Sequence, residues 1–301
     1  MRGRVHVVGA ATSAGAHGPG QELAPAAFRR YGLLEGLAES GLEVIDHGDV
    51  VTARMRPDPD HPRLADASRV IEAARAVSRS VQQVLESDPD GRILVLGGDC
   101  TVQLGVIAGA KAAQGDSVAL AYVDLDCDLT SPADGNGIAD WMGVTHLLDA
   151  PDAYRPLSGI DGKPPLLTSD RLRLIGADRA TPYEEQRLQE LGLIRYTSQQ
   201  VSANTEDIAT EIGAWADGVD LLSVHVDVDV LDQTEFPIAE EQRDVPGLTL
   251  ATLARLVSAL MAHPAARVLT ITEINPTRPP DPAAAFDSLN HLLIESLARS
   301  R

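Results

Sequence analysis

Short β-rich apolar runs alternate with amphipathic stretches along the whole chain. The runs RVHVVGA (4–10), EVID (43–46), RILVLGG (92–98), VALAYVDLD (118–126), RLRLIGA (171–177), LLSVHVDVDVL (221–231) and RVLTITEI (267–274) predict strands. Between them, helical spacing covers 22–39, 66–87, 102–114, 183–191, 204–216, 249–262 and 282–299. Repeated strand–helix units whose strands are apolar on both faces predict a parallel, doubly wound α/β sheet with helices on both sides. No shift in composition marks a linker, so 1–301 reads as one domain. Segments 52–65 and 151–168, rich in proline, aspartate and glycine, read as surface excursions.

In such a sheet, ligands bind outside the carboxyl ends of the strands. The polar residues of this sequence gather there. LVLGGDC ends in Asp99 and Cys100, YVDLDCD carries Asp124, Asp126 and Asp128, HVDVDVLD carries Asp227, Asp229 and Asp232, and LTITEINP carries Glu273. Residues two apart on a strand share a face, so the acids of each cluster are expected to converge. Bunched carboxylates cannot all stay ionised away from water unless a cation pairs them. A calcium loop does not fit, because its glycine position holds Leu129 and its final glutamate position holds Gly135. Valine and leucine alternate with the acids, which argues against a solvated turn. A buried divalent-metal site remains as the reading. Cys127, between two acids, points the other way and reads as packing.

Composition narrows the partners. The formal charge of −19 disfavours a nucleic-acid backbone or an anionic membrane and favours a cationic small molecule. Two cysteines are too few for a disulfide scaffold. No apolar run reaches the roughly 18 residues of a membrane span, and the N-terminus lacks a signal-peptide pattern, so a soluble, cytoplasmic protein is expected.

GGDC (97–100), DLDCD (124–128), HVDVDVLD (225–232) and EINP (273–276), in this order, resemble the GGDH, DAHxD, SxDxDxxDP and E-(V/I)-(N/D)-P motifs of the arginase/agmatinase ureohydrolase superfamily. The opening ATSAGAHGPGQELAPAAFRRYGLLEGL (11–37) is similar to that family's opening. The resemblance covers nearly the whole chain. It implies an eight-stranded parallel sheet, two divalent cations (usually manganese), and hydrolysis at a guanidino carbon. Carried over by position, one cation would take Cys100, Asp124, Asp128 and Asp227, and the other Asp124, Asp126, Asp227 and Asp229. Two such ions lower the pKa of a shared water towards ~7. Asp128 would also orient that nucleophile, and Glu273 would pair with the guanidinium.

The sequence departs from the family at informative places. Cys100 and Asp126 stand where the family has metal-binding histidines, so five aspartates and one thiolate face two dications. Asp140, in SPADGNGIADWMGVTHLL, falls at the family's proton-shuttling histidine. His225, where serine is common, shares the strand face of Asp227 and reads either as support for a ligand or as a core residue. The remaining histidines show no ligand spacing. At the amino-acid end of a substrate, Thr130 and Asn136 correspond to the loop that meets the α-carboxylate. GADRATPYEE (176–185) offers Glu184 to the α-amino group, with Thr181 replacing an aspartate.

A thiolate ligand and a missing shuttle histidine resemble the branch that hydrolyses Nω-hydroxy-L-arginine to hydroxyurea and L-ornithine in D-cycloserine biosynthesis, and that substrate is the expectation. Arginase or formimino-hydrolase activity on the same scaffold, and a non-catalytic metal-binding protein, are the alternatives. The oligomeric state stays open.

Overall fold

The computed structural model describes residues 3–241 and 245–298. Eight strands form one sheet: β1 (Arg4–Thr12), β2 (Glu43–Ala53), β3 (Arg92–Leu96), β4 (Val118–Val123), β5 (Leu172–Gly176), β6 (Ile194–Thr197), β7 (Leu221–Asp227) and β8 (Ala266–Thr272). Their order is β2-β1-β3-β8-β7-β4-β5-β6, and every neighbouring pair is parallel. The expected doubly wound α/β architecture is therefore present, with helices against both faces.

Strand parity divides the core in two. In β4, Val118, Leu120 and Tyr122 join one apolar cluster, beneath the helices Ala67–Ser87 and Val102–Gln114. Ala119, Ala121 and Val123 join the other, beneath the helices Ala24–Arg30, Leu250–Met261 and Pro282–Ala298. Helix Ala67–Ser87 buries Val70, Ala73, Ala74, Val77, Val81 and Val84, the three-to-four-residue stripe of a helix with one apolar face. No helix among the described residues is long and apolar enough to cross a membrane.

Several sequence expectations need correction. The stretch 22–39 is two helices, Ala24–Arg30 and Leu33–Glu39, separated by Gly32 at φ 85°. That left-handed residue costs a glycine little and breaks the helical run. β6 and the helix Ser198–Ala203 after it were not anticipated. The segment 151–168 is more than a surface excursion. It contains the short helix Arg155–Ser158 and buries Leu157, Ile160, Leu166 and Leu167 in the second cluster.

The order of the sheet also locates the site. β3, β8, β7 and β4 are contiguous at its centre, and their carboxyl ends lead into Cys100, Glu273, Asp227 and Asp124 respectively.

Candidate metal centre

Strand pleating does not gather the acids, contrary to the reading above. β4 stops at Val123, and β7 stops at Asp227. In each case the leading acid accepts a hydrogen bond from the backbone two residues on. Asp124 Oδ1 accepts from the Asp126 amide at 2.7 Å, and Asp227 Oδ1 accepts from the Asp229 amide at 2.8 Å. These Asx turns offer the chain an alternative to the ladder and fold it back over the sheet end. Register completes the arrangement. Tyr122 lies opposite His225 and Val123 opposite Val226, so the next pair up is Asp124 and Asp227. Asp128 follows at φ 49°, where its Oδ2 accepts a hydrogen bond from the Tyr122 hydroxyl at 2.5 Å. Asp232 stays apart and caps the turn at Thr234, whose amide it accepts at 2.9 Å.

Cys100 reaches the same place from β3. A side chain on Gly98 would collide with the backbone of Thr12, so only glycine lets the segment after β3 pass this close to the end of β1. Asp99 then pins the loop, accepting from the amides of Gly15 and Thr101 at 3.1 Å each. The Cys100 amide donates to Asp140 Oδ1 at 2.7 Å and to Glu273 Oε1 at 3.1 Å. Its thiol donates to Asp227 Oδ2 at 3.1 Å and lies 3.3 Å from His225 Nε2. Glu273 sits at φ 63°, and its other oxygen accepts from Gln21 Nε2 at 2.9 Å.

The resulting cleft is lined by Asp124, Asp126, Asp128, Asp140, Asp227, Asp229 and Glu273, with His17, Trp141 and Glu241. Every proposed metal carboxylate is thus in one place, with Cys100 against its floor. Among the described residues, potential ligand atoms lie within 4.8 Å of one another in three groups: Cys100–Asp124–His225, Cys100–Asp140–Glu273 and Asp124–Asp126–Asp229. Cys127 is buried in the apolar cluster, as expected of packing.

Electrostatics say what the cleft lacks. Burial first, then the charges of Asp128, Asp227, Asp229 and Asp126, push the Asp124 carboxyl well above the usual range. Burial followed by neighbouring acids does the same to Asp128, Asp140, Asp227 and Glu273, although the Tyr122 hydroxyl pulls Asp128 back. The Cys100 thiol is raised by burial and then by Asp227. Asp124 Oδ2 is buried with no hydrogen-bond partner among the described residues. Carboxyls buried in this condition either hold protons or pair with a cation, and the donor set fits a cation.

A consequence can be measured directly. Carboxyls raised in the folded state hold protons that the unfolded chain has released, so their contribution is favourable near their ordinary pKa and is lost as pH rises through the folded values. Chelated protein is therefore expected to melt at a higher temperature near pH 6 than near pH 8, roughly two to four pH units above an ordinary carboxyl pKa. Added divalent cation at ~100 times its Kd should restore about 2.7 kcal/mol at the higher pH. A chelated protein whose melting temperature is flat across this window would contradict the charge picture.

Asp126 differs from the other acids. Its Oδ2 accepts from Arg179 Nη1 at 3.2 Å, an ion pair at the rim that offsets one of the extra negative charges. Of the expected substrate residues, Thr130 and Glu184 come together, the Thr130 hydroxyl donating to Glu184 Oε1 at 3.1 Å. Glu184 also closes the N-terminal cap of the helix Pro182–Leu191 with Thr181. Asn136 is exposed at φ 50° and does not line the cleft. Sequence reasoning missed Gln21, Tyr122, Arg179, His17 and Trp141. His17, Gln21, Trp141 and Arg179 lie within stretches quoted above for their likeness to the family, but no spacing singles them out, and Tyr122 shares the parity of Asp124.

Comparison with known proteins points to one family. The model of the arginase family matches residues 3–295. The arginase of Agrobacterium fabrum is 29% identical over 285 residues, covering 90% of this chain and 83% of that protein. The hepatic arginase of Aquarana catesbeiana is 28% identical over 283 residues, covering 91% and 85%. Among solved structures, Entamoeba histolytica arginase in complex with L-ornithine superimposes with a TM-score of 0.87 at 18% identity, covering 99% of each chain. With four strand-end motifs meeting in one acidic cleft and a family match over almost its whole length, the chain belongs to the arginase family.

Proposed function

We propose that this protein is a metal-dependent amidinohydrolase that acts on a guanidino amino acid, with Nω-hydroxy-L-arginine preferred over L-arginine. The observation that carries the reading is Asp140. It replaces the family's shuttle histidine, and its buried carboxyl faces the acid cleft from a fixed position on the Cys100 amide.

Cys100, Asp124, Asp128 and Asp227 would hold one cation, and Asp124, Asp126, Asp227 and Asp229 the second, with manganese the family's usual metal. When bound, such ions supply Lewis-acid activation of water and of the guanidino carbon. The remaining work falls to side chains. Glu273, held by Gln21 and the Cys100 amide, is placed to orient the guanidino group over the attacking water, the positioning contribution to rate. Asp128, braced by Tyr122, orients that water. The water oxygen becomes the carbonyl oxygen of hydroxyurea, the bond from carbon to the ornithine nitrogen breaks, and that nitrogen leaves with a proton. Asp140 is the donor in this scheme. It must carry a proton to act as a general acid, and the Cys100 amide fixes its position through Oδ1. Thr130 and Glu184, paired beside the loop after Asp128, are the candidates for the amino-acid end, with Asn136 at the exposed edge of that loop.

The test is a parallel assay of Nω-hydroxy-L-arginine and L-arginine with manganese, quantifying ornithine together with hydroxyurea or urea. Ornithine from neither substrate, in protein with its metals bound, would refute the reading. A formimino substrate run alongside separates the sister chemistry on this scaffold.

A further inference from the structure

The metal position nearest the sheet carries a donor that the family pattern does not supply. His225 lies on β7 two residues before Asp227 and faces the same side. Its ring stacks on Tyr122, with centroids 4.3 Å apart and planes 14° apart, which fixes its direction. Nε2 approaches Cys100 Sγ at 3.3 Å and Thr272 Oγ1 at 3.5 Å, while Nδ1 has no partner among the described residues. One ligand atom each from Cys100, Asp124 and His225 lie within 4.8 Å of one another, and Asp227 Oδ2 is 3.1 Å from the sulfur. Asp124 Oδ2 is buried there without a partner.

We infer that His225 takes the place of Asp128 beside Cys100, Asp124 and Asp227, leaving Asp128 to the water, and that this nitrogen–sulfur–oxygen set selects zinc over manganese at this inner position. The imidazole missing from position 100 is regained at position 225, across the shared space from the thiol. A tetrahedral zinc with sulfur at ~2.3 Å and nitrogen at ~2.05 Å holds those donors ~3.6 Å apart, close to the observed separation. Thiolate and imidazole favour zinc, whereas manganese favours carboxylate and water, and zinc also stands well above manganese in intrinsic affinity. The outer position, with Asp126 and Asp229, keeps an all-oxygen set suited to a harder ion. A neutral ring adds a donor without adding to the excess negative charge. The inference rests on Cys100 being a ligand, as in the proposed function.

The experiment uses the full chain, stripped with chelator and reloaded with equimolar zinc and manganese, then desalted and analysed for metal. Zinc-edge X-ray absorption follows on wild type and His225→Ser, with far-ultraviolet circular dichroism to check folding. Wild type is expected to retain one zinc with one sulfur and an imidazole in its shell. His225→Ser should lose the imidazole signal and bind zinc at least roughly tenfold more weakly, the lower end of what loss of a supporting group alone costs. Sulfur without imidazole in wild type overturns the inference while leaving Cys100 a ligand. Absence of sulfur as well removes the ligand assignment beneath it. Unchanged imidazole scattering in His225→Ser, which His17 could produce, also overturns it. The wild-type spectrum decides the matter even if the variant does not fold. None of these readouts depends on hydrolysis, so they separate this inference from the substrate assignment.

Discussion

Asp227→Asn is expected to reduce kcat/KM by about a thousandfold while raising the melting temperature of the chelated protein. Both directions follow from one environment. Asp227 ends β7 by accepting the Asp229 amide, and an asparagine carbonyl can accept the same bond, so the turn should persist. What disappears is a buried acid beside Asp229, Asp140 and Cys100, whose negative charge that setting opposes. In metal-free protein, holding that charge or taking up a proton to quench it costs stability, and an asparagine does neither. In the metal-loaded enzyme the same charge would serve both cations. Lewis-acid stabilisation of a transition state is worth several kcal/mol, and about 4 kcal/mol corresponds to roughly a thousandfold in rate. Steady-state kinetics and thermal melts of the chelated protein check the two parts, and metal analysis counts the ions kept. Activity within tenfold of wild type, with both metals kept, would remove Asp227 from the shared-ligand role.

Nω-Hydroxy-L-arginine should be hydrolysed at least roughly a hundredfold faster than L-arginine in kcat/KM, the lower end of what one general acid contributes. An N-hydroxyguanidine is less basic than a guanidine and can enter neutral, and its hydroxyl adds an oxygen that can meet a cation or Asp140. Arginine brings a permanent cation and no such oxygen. The acidic cleft should bind it, yet its leaving nitrogen depends on a carboxyl where the family has an imidazole. Asp140→Asn keeps an acceptor for the Cys100 amide but cannot release a proton, so it should impair the hydroxylated substrate. Asp140→His should recover some activity on arginine. Comparable rates on both substrates, or activity on arginine alone, would defeat the assignment.

The sequence made the central sheet legible because its strands are apolar on both faces and end in acids. β6 escaped notice because Ile194–Thr197 is four residues long, half exposed and interrupted by Arg195. The helix after it had a readable start, since Thr197 and Gln200 form a capping box, but six residues are too few for periodicity to show. The acids do gather, but by another route. Alternation predicts convergence through pleating, whereas two Asx turns bring the acids together once the strands have ended. Arg179 beside Asp126 could not be read at all, because their contact joins the segment after β4 to the one after β5. Likewise, the approach of His225 to Cys100 depends on the insertion of β7 and β8 between β3 and β4.

That insertion also constrains how the protein comes into being. β3 and β4 are consecutive in the chain but are separated by two strands that are synthesised much later. Until β7 and β8 arrive, a nascent chain presents two unpaired inner edges, the kind of surface on which β proteins associate wrongly. Cys100 and Asp124 wait on opposite sides of that gap, so metal capture is expected to be a late event that follows closure of the sheet. Refolding followed with a thiol-reactive probe should show Cys100 accessible until the slowest phase, and protected in that same phase whether or not metal is present.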